Sequence, residues 1–503
     1  MKKNSKSKTI KNETIIQLVI LLLVFLSIIV FQHTKAGFMA GHHAWLSTHG
    51  LTLASNISPK YNFLMFSAKN YSTENIQYEP YNRFPIFPFL MIKGVTAPLY
   101  GDFSGQVYIA RQTMNLFLIG AITLAFLTIR RILKNNYQAI SVVLIAFSSS
   151  YMLYYSDMIF NDTPSLFGFM LAIFICYHWE EKIIKNKALL AVLVLLSILS
   201  GWQPYTVYAS WFVIKAVAEK RKLGMLKRIV VTFKDPLFLS FLASVIFGGV
   251  ILTLQILNEW RFLGGNLSDL PTINSIAFRV GLGDGGPNLI EFVIDNQTTY
   301  IQNIIKPFLG RVFIPLLALL SPFLISKILE FDYKKYLKKL KLDYRYLVLF
   351  IGSGLLWHFM MRNFVFIHDF QAIYLVGIPI VLYLSLSLLI PQNLQKYAAI
   401  IIAAVFILSI YQINKEKADS STSGAVITKE FENIDKQLPE GSKIYIDGDK
   451  YVMGGAQHAF DYYLAGNYFT TKDLADYIIS EGTQDNSVQL TYNEKINLFK
   501  VSD

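Results

Sequence analysis

Long uninterrupted stretches of apolar residues limit what this sequence can fold into. The first, at residues 14–32, is long enough to cross a bilayer core of about 30 Å as a helix. The others lie near residues 107–129, 138–154, 163–179, 187–201, 203–218, 236–258, 308–328, 345–361, 372–391 and 397–412. Backbone groups in lipid must be hydrogen-bonded within the protein, which favours helices. The sequence therefore predicts a polytopic α-helical membrane protein with about eleven transmembrane helices.

The first apolar run follows a lysine-rich segment at residues 1–13. The alternative is a cleaved signal peptide. Signal peptides have a shorter apolar core than this run, and a cleavage site of small residues follows that core. No such site follows this run, so we expect a retained first helix. The runs at 187–201 and 203–218 are shorter than the usual span of about 20 residues and could form a re-entrant hairpin. Counting or omitting this pair leaves the topology unchanged.

The basic residues indicate orientation rather than a nucleic-acid partner. The net charge is +12, but lysine and arginine form short clusters between apolar runs, such as "RRILKNN" and "AEKRKLGMLKR". Loops with such clusters face the cytoplasm, so we expect a cytoplasmic N-terminus and an extracytoplasmic C-terminus. The chain has a single cysteine, Cys176, so a disulfide framework is excluded. Cys176 lies inside an apolar run, where a structural thiol is expected.

Three segments on the predicted outer side are large. Residues 33–106 and 258–306 are loops of a membrane domain at 14–412, and residues 413–503 follow the last span. In this tail, an amphipathic helix, a turn and a strand are predicted by "SGAVITKEFENIDKQLPEGSKIYIDGD".

Two further tail motifs complete this prediction. A second helix, with a threonine cap, is predicted by "FTTKDLADYIISEG", and a hairpin by "VQLTYNEKINLFKVSD". We therefore expect a small extracytoplasmic α/β domain at 413–503.

Histidines are concentrated just after the first apolar run, in "GHHAWLSTHG". His42 and His43 could take a proton from a hydroxyl, because histidine titrates near neutral pH. The polar histidines are interspersed with Trp45 and leucines, a pattern that predicts a short helix in the membrane interface. The alternative is that these residues only anchor the chain at the interface.

Other ionisable residues lie at the predicted outer ends of the helices. Arg83 stands among prolines and aromatics in "YNRFPIFPFL", where a guanidinium could grip a phosphate or simply contact lipid headgroups. Asp157 and Asp162 lie between two apolar runs. Asp162 could be explained as a helix cap followed by an early proline. Asp157, at the lipid boundary, favours a functional role.

A late segment, "WHFMMRNFVFIHDFQAIYL", carries Arg362, His368 and Asp369 between apolar flanks. Ionisable groups in such surroundings favour a site. The histidine pair at 42–43 could combine with His368 and Asp369 to bind a divalent metal, but nothing in the sequence sets their separation. We therefore predict no cofactor and keep a metal as the less favoured alternative.

These motifs together resemble those of the GT-C superfamily of membrane glycosyltransferases, which includes protein O-mannosyltransferases and aminoarabinose transferases. The resemblance covers most of the chain. It rests on one N-terminal span followed by a large outside loop, on "YNRFPIFPFL" before the second span, and on "FNDTPSLFGFMLAIF" and "FIHDFQAIYLVGIPIVLYL" at later spans. It implies a GT-C-like fold in a bacterial inner membrane.

The resemblance also implies a reaction. Such enzymes move a sugar, a hexose or pentose, from a polyprenyl phosphate to a protein, lipid or glycan acceptor on the outer face. Arg83 matches a basic residue of the family's second motif. The resemblance implies that the phosphate and the donor would be held by Arg83, Arg362, His368 and Asp369.

One motif departs from the family. An acidic residue usual in the first outside loop is replaced by "GHH". The base could be His42, His43, Asp157 or Asp162, or transfer activity could be lost, leaving a scaffold. A transporter or flippase of lipid-linked glycans is a further alternative, which predicts charges at mid-helix positions. Here most ionisable residues lie at outer helix ends, which favours the transferase.

Overall fold

The computed structural model describes most of the chain. The described residues are 2–31, 42–57, 65–71, 76–218, 230–265, 270–281, 345, 348–387, 390–447, 462, 464, 467–480, 487–491 and 497–501. The predicted span at 308–328 and most of the outside segment 258–306 lie outside them.

Helices make up most of the described chain. In the N-terminal part they are α1 (Lys2–Phe31), α2 (His42–Ser55), α3 (Phe87–Thr96), α4 (Phe103–Leu133), α5 (Asn136–Phe147), α6 (Ser150–Tyr155), α7 (Asp162–Glu180), α8 (Lys187–Ser200) and α9 (Pro204–Ala218). They continue as α10 (Pro236–Phe262), α11 (Pro271–Val280), α12 (Ser353–Met360), α13 (Arg362–Ile367), α14 (Gly377–Ser387) and α15 (Gln395–Asp435), with a 3-10 helix at Asp369–Val376.

Several of these helices are candidates for crossing a membrane. Among the described residues, 5 are long and apolar enough: Thr14–Phe31, Phe103–Leu133, Pro236–Phe262, Phe370–Ser387 and Gln395–Ala418. Shorter apolar helices accompany them at Phe87–Leu99, Asn136–Phe147, Lys187–Ser200 and Val348–Met360. The polytopic helical architecture agrees with the sequence, while the total of about eleven spans and the orientation stay predictions.

One apolar run is divided rather than continuous. The run at 138–154 forms α5 and then α6, because the Ser149 side chain accepts a hydrogen bond from Met152 N at 3.2 Å and starts a new helix. The short α6 leads directly into the segment that carries Asp157. This break brings that carboxylate to the beginning of α7 instead of extending a membrane helix past it.

The strands form one sheet that joins two distant parts of the sequence. They are β1 (Phe66–Tyr71), β2 (Ile76–Pro80), β3 (Lys443–Asp447), β4 (Tyr468–Phe469), β5 (Tyr477–Ser480), β6 (Ser487–Gln489) and β7 (Asn497–Val501). The order in the sheet is β2-β1-β4-β3-β5-β7-β6. The parallel pairing of Asn70 with Phe469 connects the first outside segment to the tail. Both segments therefore lie on the same side of the molecule, as the predicted topology requires.

The tail confirms two of its three predicted motifs. The hairpin forms as antiparallel β6 and β7, and the amphipathic helix forms as the end of α15, continuous with the last span. The second helix is wrong: only a 3-10 turn at Lys472–Leu474 is helical, and β5 follows. Ile478 and Ile479 are buried in β5, which is paired with β3 and β7, so sheet packing overrides the local helix signal.

Candidate active site

Helix α2 confirms the helix expected in the first outside segment, and it lies directly against the chain between α6 and α7. A Cβ at Gly50 would collide with the carbonyl oxygen of Ile159, so only glycine permits this approach. The hydroxyl of Ser47 accepts a hydrogen bond from Ile159 N at 3.2 Å. These contacts fix the face of α2 that carries His43 over Asp157.

His43 and Asp157 are in direct contact, joined by a residue that the sequence analysis missed. His43 Nε2 donates to Asp157 Oδ1 at 3.0 Å, and Lys417 Nζ donates to the same oxygen at 2.6 Å. Lys417 Nζ also donates to the carbonyl of Leu153 at 3.1 Å. All three charged or polar side chains are fully enclosed. We call His43, Asp157 and Lys417 the buried triad.

The surroundings fix the protonation of the buried triad. Burial lowers the pKa of His43 to about 4, so this ring is neutral at pH 7. Its Nδ1 lies 3.4 Å from Ser47 Oγ, which leaves Nε2 to carry the proton donated to Asp157. Burial alone would raise the pKa of Asp157, but the Lys417 ammonium and the His43 hydrogen bond hold it well below its usual range. Asp157 is therefore an anion.

Lys417 belongs to a buried stripe that continues from the last membrane helix. The residues Ala399, Ile402, Phe406, Ile410 and Ile413 are buried along α15, and Lys417 follows four positions later. Residues three or four apart share one face of a helix, so this stripe is the signal that predicts a buried lysine.

Arg83 lies in a second cluster, formed by aromatic rings. Its guanidinium stands 4.4 Å from the centre of the Tyr81 ring, and Tyr81 meets His49 of α2 edge to face at 4.4 Å. Phe160 packs against both His49 and Phe84. No described contact joins Arg83 to the buried triad directly. The two clusters are neighbours because the same two segments contribute to both. Helix α2 supplies His43 and His49, and the chain between α6 and α7 supplies Asp157 and Phe160.

Arg279 is a second guanidinium at this place, and sequence reasoning missed it. Its Nη1 donates to the carbonyl of Arg83 at 3.4 Å. The guanidinium is held between the rings of Phe84 and Phe364, 4.5 and 4.4 Å from their centres. In the part of the chain that the structure describes, no carboxylate forms an ion pair with either Arg83 or Arg279. The pair is therefore a concentration of positive charge suited to an anion.

Asp162 begins α7 and is tied to the late segment of the chain. Its Oδ1 accepts hydrogen bonds from Gln371 Nε2 at 2.7 Å and from the Tyr374 hydroxyl at 3.1 Å. Gln371 is itself held by Trp357 Nε1 at 3.0 Å. Phe160, two residues before Asp162, packs on Phe84, and Phe84 also contacts the Arg279 guanidinium, so Asp162 follows a segment that contributes to the arginine cluster.

The other predicted residues of the late segment have mainly structural contacts. Arg362 donates to the carbonyl of Gly281 at 3.0 Å, at the C-terminal end of α11, where a cation is favourable. The His368 ring packs edge to face on Phe364 at 4.6 Å. The side chains of His42 and Asp369 lie outside the described part of the structure. Within the described residues, no group of 3 or more His, Cys, Asp or Glu side chains could hold a metal ion.

An apolar groove begins next to Arg83. It lies between the chain entering α3, the end of α8 and the middle of α10. Its lining includes Phe84, Trp202 and Gly248. Trp202 Nε1 donates to the carbonyl of Arg83 at 3.3 Å, which ties the wall of the groove to the arginine cluster.

The fold is that of the GT-C membrane glycosyltransferases, as the sequence resemblance implies. The structure of ArnT from Cupriavidus metallidurans bound to undecaprenyl phosphate is similar over 97% of this chain and 98% of that chain, with a TM-score of 0.60 and 10% identity. Arabinofuranosyltransferase AftD from Mycobacteria is similar over 97% of this chain and 40% of its own length, with a TM-score of 0.52 and 10% identity. No protein-family profile and no curated protein sequence matches the chain.

Proposed function

We propose that this protein is a membrane glycosyltransferase that moves a hexose or pentose from a polyprenyl-phosphate donor to an extracytoplasmic acceptor. The observation that carries the proposal is the position of two guanidinium groups without carboxylate partners among the described residues, at one end of an apolar groove. Arg83 and Arg279 suit a phosphate, and the groove suits an isoprenoid chain. The similarity to a structure of ArnT that contains undecaprenyl phosphate supports this class of donor.

The arginine cluster would act on the leaving group. As the acceptor oxygen forms its bond to the anomeric carbon, the bond from that carbon to the phosphate oxygen breaks, and negative charge grows on the phosphate. Fixed guanidinium donors at that oxygen stabilise the developing charge. Arg279 is well suited because Phe84 and Phe364 hold its guanidinium in place before the reaction.

The acceptor hydroxyl needs a carboxylate that orients it and receives its proton. Asp162 fits this role better than Asp157, because Phe160, two residues before Asp162, packs on Phe84, the ring that also holds Arg279. Asp157 is paired with Lys417 and His43 inside a fully enclosed triad. We therefore assign the triad to holding α2 and α15 against the segment that leads to Asp162. The acceptor is a protein, lipid or glycan.

The groove can be tested with two adjacent glycines of α10. A Cβ at Gly248 would lie 3.4 Å from the Tyr205 hydroxyl inside the groove, whereas a Cβ at Gly249 meets nothing within 4 Å. We expect Gly248→Leu to fill the groove and weaken undecaprenyl phosphate binding about tenfold, which corresponds to about 1.4 kcal/mol. The measurement is titration of the purified protein in nanodiscs with this lipid.

Gly249→Leu is the matched control, because both substitutions make the same change in helix propensity one residue apart. It should bind undecaprenyl phosphate like the unaltered protein. Equal affinities for all three proteins would remove the groove as the place of the isoprenoid chain. Failure of the unaltered protein to bind the lipid, or to transfer label from undecaprenyl-phosphate sugars to native membranes, would contradict the proposed function itself.

We further propose that the chain spans a bacterial inner membrane about eleven times, with the N-terminus inside. The joining of β1 to the tail strands supports this, since it requires both segments on one side. The chain has 1 cysteine, Cys176, which is buried, so introduced cysteines can be labelled selectively. We expect a membrane-impermeant maleimide to label Tyr100→Cys in intact spheroplasts, and Lys185→Cys only after permeabilisation. The reverse pattern would contradict this orientation.

A further inference from the structure

A buried carboxylate at the end of α10 connects the two segments that carry the arginines. Glu259 is completely buried and accepts three hydrogen bonds. Asn82 Nδ2 donates to its Oε2 at 3.0 Å, Thr272 Oγ1 donates to the same oxygen at 2.6 Å, and Thr272 N donates to Oε1 at 3.0 Å. Within the described chain, no ion pair involves Glu259.

Each partner of Glu259 leads to one arginine. Asn82 directly precedes Arg83, and its Oδ1 accepts from Met65 N at 3.1 Å, which fixes the side chain at both ends. Thr272 lies two turns before Arg279 in α11, on the same buried face. The hydrogen bond from Arg279 to the Arg83 carbonyl closes a ring of contacts. The separation of the two guanidinium groups thus depends on the carboxylate opposite them in that ring.

Glu259 also replaces a missing helix cap. Leu270, at the N-cap position of α11, has no side-chain acceptor for the free amides of the first turn. The carboxylate of Glu259 accepts from one of these amides and adds negative charge at the positive end of the helix. One group therefore sets both the start of α11 and the direction in which its last turn presents Arg279.

We propose that Glu259 is a positioning residue that sets the separation of Arg83 and Arg279 for phosphate binding. This inference rests on the proposed function for its consequence, since a phosphate is what the two guanidinium groups would share. The hydrogen bonds predict that donor and acceptor can be exchanged between residues 259 and 82. Glu259→Gln replaces one of the two carboxylate oxygens by an NH2 group, which in either rotamer faces an existing donor, the Asn82 amide or the Thr272 N–H. Asn82→Asp places two carboxylates together. The double variant pairs a donor with an acceptor again.

The test compares Glu259→Gln, Asn82→Asp and the double variant in nanodiscs, with undecaprenyl phosphate as the probe. We expect each single variant to bind about tenfold more weakly, and the double variant to return to within about threefold of the unaltered protein, as coupled neighbours do. Hydrogen exchange is measured on peptides covering 76–84 and 270–280. Both should lose protection in the single variants and regain it in the double variant.

Glu432→Gln is the control, because Glu432 accepts a hydrogen bond from Ser104 at 3.3 Å and likewise links two segments, away from the arginines. Single variants that bind no worse than this control, or a double variant no better than the singles, would overturn the proposal. If the unaltered protein does not bind the lipid, the proposed function fails. The exchange data then test the role of Glu259 separately: protection restored in the double variant supports the ring of contacts, and unchanged protection in all variants refutes it.

Discussion

Replacing Lys417 with methionine is expected to destabilise the protein by about 3–5 kcal/mol, because it leaves a buried carboxylate without its cation. The side chains of Lys417 and Asp157 are both fully enclosed, and 2.6 Å separates Nζ from Oδ1. Asp157 Oδ2 accepts no hydrogen bond from the described residues, and Lys417 stabilises the charge more than the other buried cation that acts on it, Arg111. The measurement is equilibrium unfolding in mixed detergent micelles, followed by tryptophan fluorescence.

Lys415→Met serves as the control for this prediction, since Lys415 is exposed on the same helix two residues earlier. Its unfolding free energy should stay within about 0.5 kcal/mol of the unaltered value. Combining Lys417→Met with Asp157→Leu removes both charges and should recover much of the lost stability. A Lys417→Met protein as stable as the control would show that the triad does not hold α15 against the chain before α7.

The sequence predicts the helical membrane architecture because lipid imposes a single solution on each apolar run. It does not predict that β1 joins the sheet of the tail, because β1 and β4 lie about 400 residues apart and pair at Asn70 with Phe469. Local patterns carry no information about such a partner. The wrong helix before β5 has the same cause, since "KDLADYIIS" has a good helical start but its isoleucines are needed in the sheet.

The candidate site is predictable where a residue is unusual in its own surroundings. Asp157 is such a residue, a carboxylate at a predicted lipid boundary, and it contacts His43, another candidate base named from the sequence. Lys417 is detectable only by extending the stripe of α15 beyond the apolar run.

Arg279 is missed because α11 buries its polar face and exposes its apolar face, the reverse of a helix on the surface of a soluble protein. This helix buries Thr272 and Arg279 and exposes Ile273 and Phe278. At a membrane interface the apolar face of a helix contacts lipid, so its polar face turns toward the protein. A pattern of apolar and polar residues alone does not reveal which of the two environments the helix faces, and therefore it does not reveal that its arginine is buried.

Arg83→Ala is expected to lower kcat/KM for sugar transfer by about 10²–10³-fold, because it removes one of two fixed donors to the leaving phosphate. Arg83 is the better of the two arginines for an alanine substitution. It is only half-buried, whereas Arg279 fills the space between Phe84 and Phe364. For Arg279 the conservative change to lysine keeps the charge and loses the planar fork, so a smaller decrease is expected. The measurement is transfer of radiolabel from undecaprenyl-phosphate sugars in native membranes that supply the acceptor.

Arg261→Ala separates this effect from a general loss of positive charge. Arg261 is an exposed arginine in the last turn of α10, so its removal changes the net charge by the same amount without touching the cluster. It should transfer sugar at the unaltered rate. If Arg83→Ala decreases transfer and unfolding free energy equally, the residue only supports the fold. If it decreases transfer while stability and the Arg261→Ala rate stay unchanged, the two guanidinium groups act on the phosphate, as their position beside the groove implies.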